Sequence, residues 1–161
     1  IPMPKTNLPS LKAIIADFPD ITFVEDDEFY WSALTQTVYY DANEVSSTSG
    51  TYRLLHELGH ALCQHQSYGS GVQLLKLETQ AWSKAQEVAK QYDICIDENQ
   101  IESCLDSYRD WLHLRSTCPT CQAIAIENTP NQYHCFNCFQ KWKVPKDQRR
   151  RHYRLKLVRS T

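Results

Sequence analysis

TYRLLHELGHALCQHQ, residues 51–66, decides how this chain is read. It has the apolar spacing of an amphipathic helix from about Thr51 to Gln66. Leu54, Leu55, Leu58, Ala61 and Leu62 share one broad face, while His56 and His60 stand one turn apart on another. Histidines at i and i+4 can grip a single ion through their imidazole nitrogens. The intervening Glu57 points to the flank, where it can act on a water rather than on the metal. The H-E-x-x-H pattern at residues 56–60 therefore predicts a zinc site with a built-in base.

A catalytic zinc takes three protein ligands and keeps one position open. Three downstream residues are candidates for the third ligand: His65, Glu78 and Asp93. His65 falls among the leucines on the wheel. Unless the helix ends early it cannot reach the same metal, and it reads as a core-edge or exposed histidine. Asp93 sits at a helix end and reads as a cap or turn residue. Glu78 lies on the apolar face of a second helix, predicted from about Val72 to Tyr92, beside Leu74, Ala81, Ala85 and Val88. A carboxylate there is costly to bury unless it is paired or metal-bound, which makes Glu78 the expected third ligand.

Upstream, residues 21–41 are rich in β-branched and aromatic residues (ITFVED, EFYWSAL, QTVYYD) and predict three short strands, most simply an antiparallel meander. QTVYYD is the strand expected to border the cleft and to pair with substrate backbone. A short helix from about Ser10 to Asp17 precedes them, with Ser10 as its cap. SYGSG, residues 67–71, interrupts the helical pattern. A third helix starts at Asp97, which with Gln100 forms a capping-box signature.

A strand-rich start, HELGHAL on one helix and E-x-x-A-W (Glu78 to Trp82) on the next resembles the gluzincin metallopeptidases, and within them the ImmA/IrrE group of small intracellular proteases. The resemblance covers roughly residues 10–92 and rests on His56, Glu57, His60 and Glu78. It implies a zincin-like fold and metal-assisted hydrolysis of peptide bonds, with Glu57 taking a proton from water and passing it to the leaving amine. It also suggests a transcriptional repressor or a similar regulator as substrate. Tyr68, in the SYGSG segment, is the candidate second donor to the oxyanion.

Cys118-Pro-Thr-Cys121 and Cys135-Phe-Asn-Cys138 lie 13 residues apart. Two such knuckles predict a zinc ribbon, and four thiolates close the coordination shell, so this second zinc should be structural. Cys63, Cys95 and Cys104 read as buried apolar residues, and His134 as a neighbour of the ribbon metal rather than a ligand. The fold class expected is α+β. A small zincin-like domain (residues 1–117: a short antiparallel sheet, the active-site helix and the glutamate helix) precedes a ribbon with a basic tail (residues 118–161). The ribbon and tail also resemble the SprT/Spartan-like repair proteases, whose three-histidine site this chain does not match.

Charge separates the two parts. Residues 1–117 carry 8 basic against 17 acidic residues, a net −9; residues 118–161 carry 9 against 2, a net +7. Lys141, Lys143, Arg149, Arg150, Arg151 and Arg154 are the candidate contacts to nucleic acid, to the acidic domain or to a protein partner. Hydrophobic residues at 42% support a packed core. No apolar run approaches the roughly 18–20 residues of a membrane span, and the first residues carry no apolar signal-type run. Paired C-x-x-C motifs suit a reducing, cytoplasmic setting. The leading expectation is a cytoplasmic zinc endopeptidase, with two Zn²⁺ per chain, acting on a specific protein such as a regulator or a nucleic-acid-associated protein. The rival is a catalytically inactive, protease-like binding module.

Overall fold

The computed structural model describes residues 7–146, together with the backbone of residues 155–157. The fold is α+β. Its four described helices are α1 (Leu11–Asp17), α2 (Thr48–Leu62), α3 (Gly71–Lys90) and α4 (Glu98–Ser116). Seven described short strands form two sheets: β1 (Thr22–Asp26), β2 (Tyr30–Ser32), β3 (Thr37–Asp41), β4 (Ile126–Thr129), β5 (Gln132–His134), β6 (Lys141–Lys143) and β7 (Leu155–Leu157). Among the described residues no helix is long and apolar enough to cross a membrane. The chain divides into two compact units, residues 1–67 with 77–101 and residues 68–76 with 102–161. The sequence-based boundary at 117/118 thus falls inside the second unit.

In the first unit the strand order is β1-β3-β2, with β1 parallel to β3 and β2 antiparallel to it. The expected antiparallel meander is corrected here. β3 carries the fully buried Val38 and the buried Thr37, so it takes the centre, and the more exposed β1 and β2 become edges. β3 is paired on both sides, so among the described residues β2 rather than QTVYYD is the edge next to α2. Tyr30 and Tyr39 are register partners whose rings stack at 4.4 Å.

Ser10 caps α1 as expected, its Oγ accepting from the Ala13 N–H at 3.1 Å, and Ser47 caps α2 in the same way through Gly50. α2 buries Leu54, Leu55 and Leu58 completely, yet its histidine face is covered too: His56 and His60 are each only 8% exposed. The helix stops at Leu62, four residues before the predicted end. Gln64 adopts a left-handed φ of 53°, the Gln64 N–H donates to the Ala61 carbonyl and the His65 N–H donates to the His60 carbonyl. These two bonds define a Schellman stop, with glutamine in the place glycine usually fills. Asp93 ends α3 in the same manner, at φ 55° with Ile94 N–H on the Ala89 carbonyl. Its reading as a turn residue holds.

In the second unit β4-β5-β6-β7 form an antiparallel sheet. The knuckles repeat each other bond for bond. Cys118 N–H donates to Ala123 and Gln122 N–H to Cys118, while Cys135 N–H donates to Gln140 and Phe139 N–H to Cys135. The residue after each second cysteine is left-handed, Gln122 at φ 68° and Phe139 at φ 63°. For an L residue this conformation costs about 1–2 kcal/mol relative to glycine.

Under the sheet, Trp142 is fully buried and stacks on Tyr133 at 5.4 Å. Arg115, at the end of α4, is 2% exposed. It donates to Glu127 Oε1 at 3.0 Å, Asn131 Oδ1 at 2.8 Å and the Pro145 carbonyl at 3.2 Å, with its guanidinium 4.2 Å above the Trp111 ring. Its own carbonyl accepts from Trp142 Nε1. The core beneath this sheet is therefore closed from below by the last turns of α4.

Candidate metal centres

Gly59, inside the HELGH motif, sets the first site. A Cβ at this position would lie 2.3 Å from the Ala81 carbonyl oxygen, so only glycine lets α2 and α3 approach this closely. Glu78, Ala81 and Trp82 share the facing surface of α3. Ala81 permits the approach, Trp82 stacks on His56 at 4.2 Å, and Glu78 is brought onto the histidines. Its Oε2 lies 2.8 Å from His56 Nε2 and its Oε1 3.2 Å from His60 Nε2; the two Nε2 atoms are themselves 3.2 Å apart. One ligand atom from each of the three residues lies within 4.8 Å of the others, and the group can hold a metal ion. The expected trio is assembled, at 6–8% exposure.

Glu57 stays outside that trio, partly buried, with the Trp31 backbone N–H as a donor. Burial pushes its carboxyl pKa up, against the opposing pull of His56, His60 and Trp31. Burial alone would raise Glu78 too, but hydrogen bonds from His56 and His60 outweigh it and hold Glu78 at about 2. His60 is disfavoured by burial as a cation, yet the Glu78 carboxylate raises it on balance.

His65 is corrected from a core-edge or exposed residue to a buried partner of the site. The early stop of α2 turns it back, so that its Nδ1 lies 2.8 Å from His60 Nδ1, while its Nε2 reaches Gln80 Oε1 at 3.1 Å. Trp31 Nε1 fixes the backbone by donating to the His65 carbonyl at 2.9 Å. Metal ligation fits this chain of bonds with one proton assignment. If His60 offers a lone pair at Nε2, its Nδ1–H must donate to His65 Nδ1, which puts the His65 proton on Nε2, facing a carbonyl-type acceptor. Burial lowers the His65 pKa, which favours the neutral ring this assignment needs. The spacing offered His65 only as a ligand candidate that a helix running to Gln66 ruled out, because the helix end had no glycine to mark it, and it signalled neither Gln80 nor Trp31.

Cys118, Cys121, Cys135 and Cys138 form the second group, also able to hold a metal. Sγ–Sγ separations of 3.5 Å for Cys118–Cys138 and Cys121–Cys135 are far beyond a disulfide bond. They approach the roughly 3.8 Å edge of a tetrahedron with Zn–S bonds of about 2.3 Å. Donation from the Asn137 side-chain amide lowers the Cys121 thiol to about 6. At Cys138 the Gln140 N–H lowers the pKa, but burial and the neighbouring sulfurs outweigh it and push the thiol up to about 11. Four sulfurs this close cannot all ionise without a cation among them.

Two of the other cysteines differ from expectation: Cys63 and Cys95 are exposed, and Cys104 is half-buried. Tyr68 belongs to the second unit, where its hydroxyl donates to the Lys146 carbonyl at 3.1 Å. Lys141 and Lys143 are exposed on β6. Arg149, Arg150, Arg151 and Arg154 lie outside the described residues. Compared with family models, with curated proteins and with solved structures, the chain matches none of them.

Proposed function

We propose that this chain is a zinc-dependent endopeptidase of the gluzincin type, similar to the ImmA/IrrE proteases, that cleaves a specific cytoplasmic protein. One observation carries the reading. Two histidines and a carboxylate converge from adjacent helices, while a second carboxylate, Glu57, is held beside them by the Trp31 N–H and left out of the ligand set. A merely structural site would use all its groups as ligands and keep no base in reserve.

A zinc ion held by His56, His60 and Glu78 would polarise a peptide carbonyl and bring the pKa of a water toward 7. The chain supplies the rest. Glu57 accepts the proton of the attacking water and returns it to the departing amine nitrogen. With a metal in place of the Nε2 proton, His65 and Gln80 would hold the His60 ring in the tautomer protonated at Nδ1. β2 presents an edge without a strand partner among the described residues, at the side of Glu57, and a substrate strand fits along it. The second zinc, on the four cysteines, is structural and organises the ribbon.

The test is cleavage of candidate partner proteins by wild type and by Glu57→Gln. Glu57→Gln should keep two metals per chain and lose about 10²–10⁴ in rate. Glu78→Gln should bring the metal content down to one. Equal turnover by wild type and Glu57→Gln would assign the centre to a binding module instead.

A further inference from the structure

We propose that the sheet face of the ribbon opposite Trp142 binds single-stranded nucleic acid by stacking bases on Phe136 and Phe139. Tyr133 and Trp142 are paired in register and buried, so their strand neighbours lie on the other face. That face is formed by the register pairs His134–Lys141, Gln132–Lys143 and Ile126–His134. Phe136 and Phe139 flank it, with ring centroids 5.2 and 6.3 Å from that of His134. They are 68% and 64% exposed, and Ile126 is 69% exposed.

Two observations set these rings apart from ordinary surface residues. Phe139 occupies a left-handed position, φ 63°, that glycine would fill without strain, and the equivalent place in the other knuckle holds the polar Gln122. A bulky ring is thus kept where it is both sterically disfavoured and open to water. The charge is one-sided as well. Residues 118–146 contain a single acid, Glu127, and its carboxylate is 7% exposed and paired with Arg115. Among the described residues 118–146, therefore, no exposed acid accompanies Lys141 and Lys143 on the face. Lysine is depleted from the cores of protein interfaces. Rings that take base faces with lysines that take phosphates are what a flexible polyanion with unstacked bases requires.

This surface is independent of the hydrolase reading, so Glu57→Gln protein should bind as wild type does. The experiment is fluorescence anisotropy of the full, metal-loaded chain with a labelled single strand of about 12 nucleotides. Phe136→Ala and Phe139→Gly should each weaken binding about 5- to 100-fold. Replacing both Lys141 and Lys143 by Gln should reduce the slope of log K against log salt by about 1.4. Phe139→Gly relieves the left-handed strain, so its loss of affinity cannot come from misfolding, and unchanged metal content on the four cysteines checks this directly. Absence of oligonucleotide binding overturns the proposal. So does equal affinity for a duplex, or affinity untouched by either phenylalanine variant. Concentration-dependent dimerisation that Phe136→Ala abolishes would also overturn it, and would give the face to a second copy of the chain.

Discussion

His60 and His65 meet Nδ1 to Nδ1 at 2.8 Å across the Schellman stop of α2. In such a stop the third residue from the helix end and the second residue beyond it usually touch through apolar side chains. Here two imidazoles occupy those places, and the helix terminus itself becomes the support of a histidine that can hold a metal.

Replacing His65 by Ala should lower the affinity of the helical site for zinc about 10- to 100-fold, because His60 loses the acceptor that fixes its tautomer. His65→Gln, which keeps an acceptor, should recover part of it. Competition with a chromophoric chelator measures both, and unchanged affinity in the two variants would remove His65 from the site.

Gly59→Ala adds one methyl group directly against the Ala81 carbonyl. The helices must separate, at a cost of about 1–3 kcal/mol, and Glu78 should withdraw from the histidine pair. Denaturant unfolding should shift to lower midpoint, and metal analysis should show the helical site depleted while the four-cysteine site stays full.

The charges of the metal-free site fix a pH window. Glu78 is held at about 2 against an ordinary 4.5, so its contribution to stability is complete above about 4.5 and fades as pH falls toward 2. His60 is raised above 6.5, so its contribution is complete below that value and is lost as pH rises through the raised pKa. The stability difference between metal-free wild type and Glu78→Gln should therefore peak between about pH 4.5 and 6.5. Chemical denaturation across pH tests this, and a difference that grows steadily into the alkaline range would contradict it.

Arg115→Met should destabilise the second unit by about 3–5 kcal/mol, because it strands the Glu127 carboxylate without its cation. Adding Glu127→Met should restore much of that loss. Thermal unfolding of the single and double variants separates a broken ion pair from simple loss of packing.

The helical site was legible where spacing alone determines geometry. His56 and His60 share a face because a helix has a fixed period, and Glu78 stood out as a carboxylate on an apolar stripe. Both knuckles could be read from cysteine spacing. The parallel pairing of β1 with β3 was not readable, since three short strands of similar composition do not announce which one takes the centre. The His65 contact was hidden for a local reason: the left-handed stop falls on Gln64, so the helical pattern ran on in the sequence after the backbone had turned. Arg115 was equally silent, because a cation three residues before a cysteine looks like the edge of a ribbon and not its floor.

That floor limits what can be inherited separately. A segment excised at Cys118 would carry all four thiols but neither the guanidinium that neutralises Glu127 nor the carbonyl that accepts from Trp142. The smallest heritable cassette is thus set by Arg115 and the turns of α4 that carry it. Recombination at the cysteines themselves would deliver a four-thiol knot with no foundation.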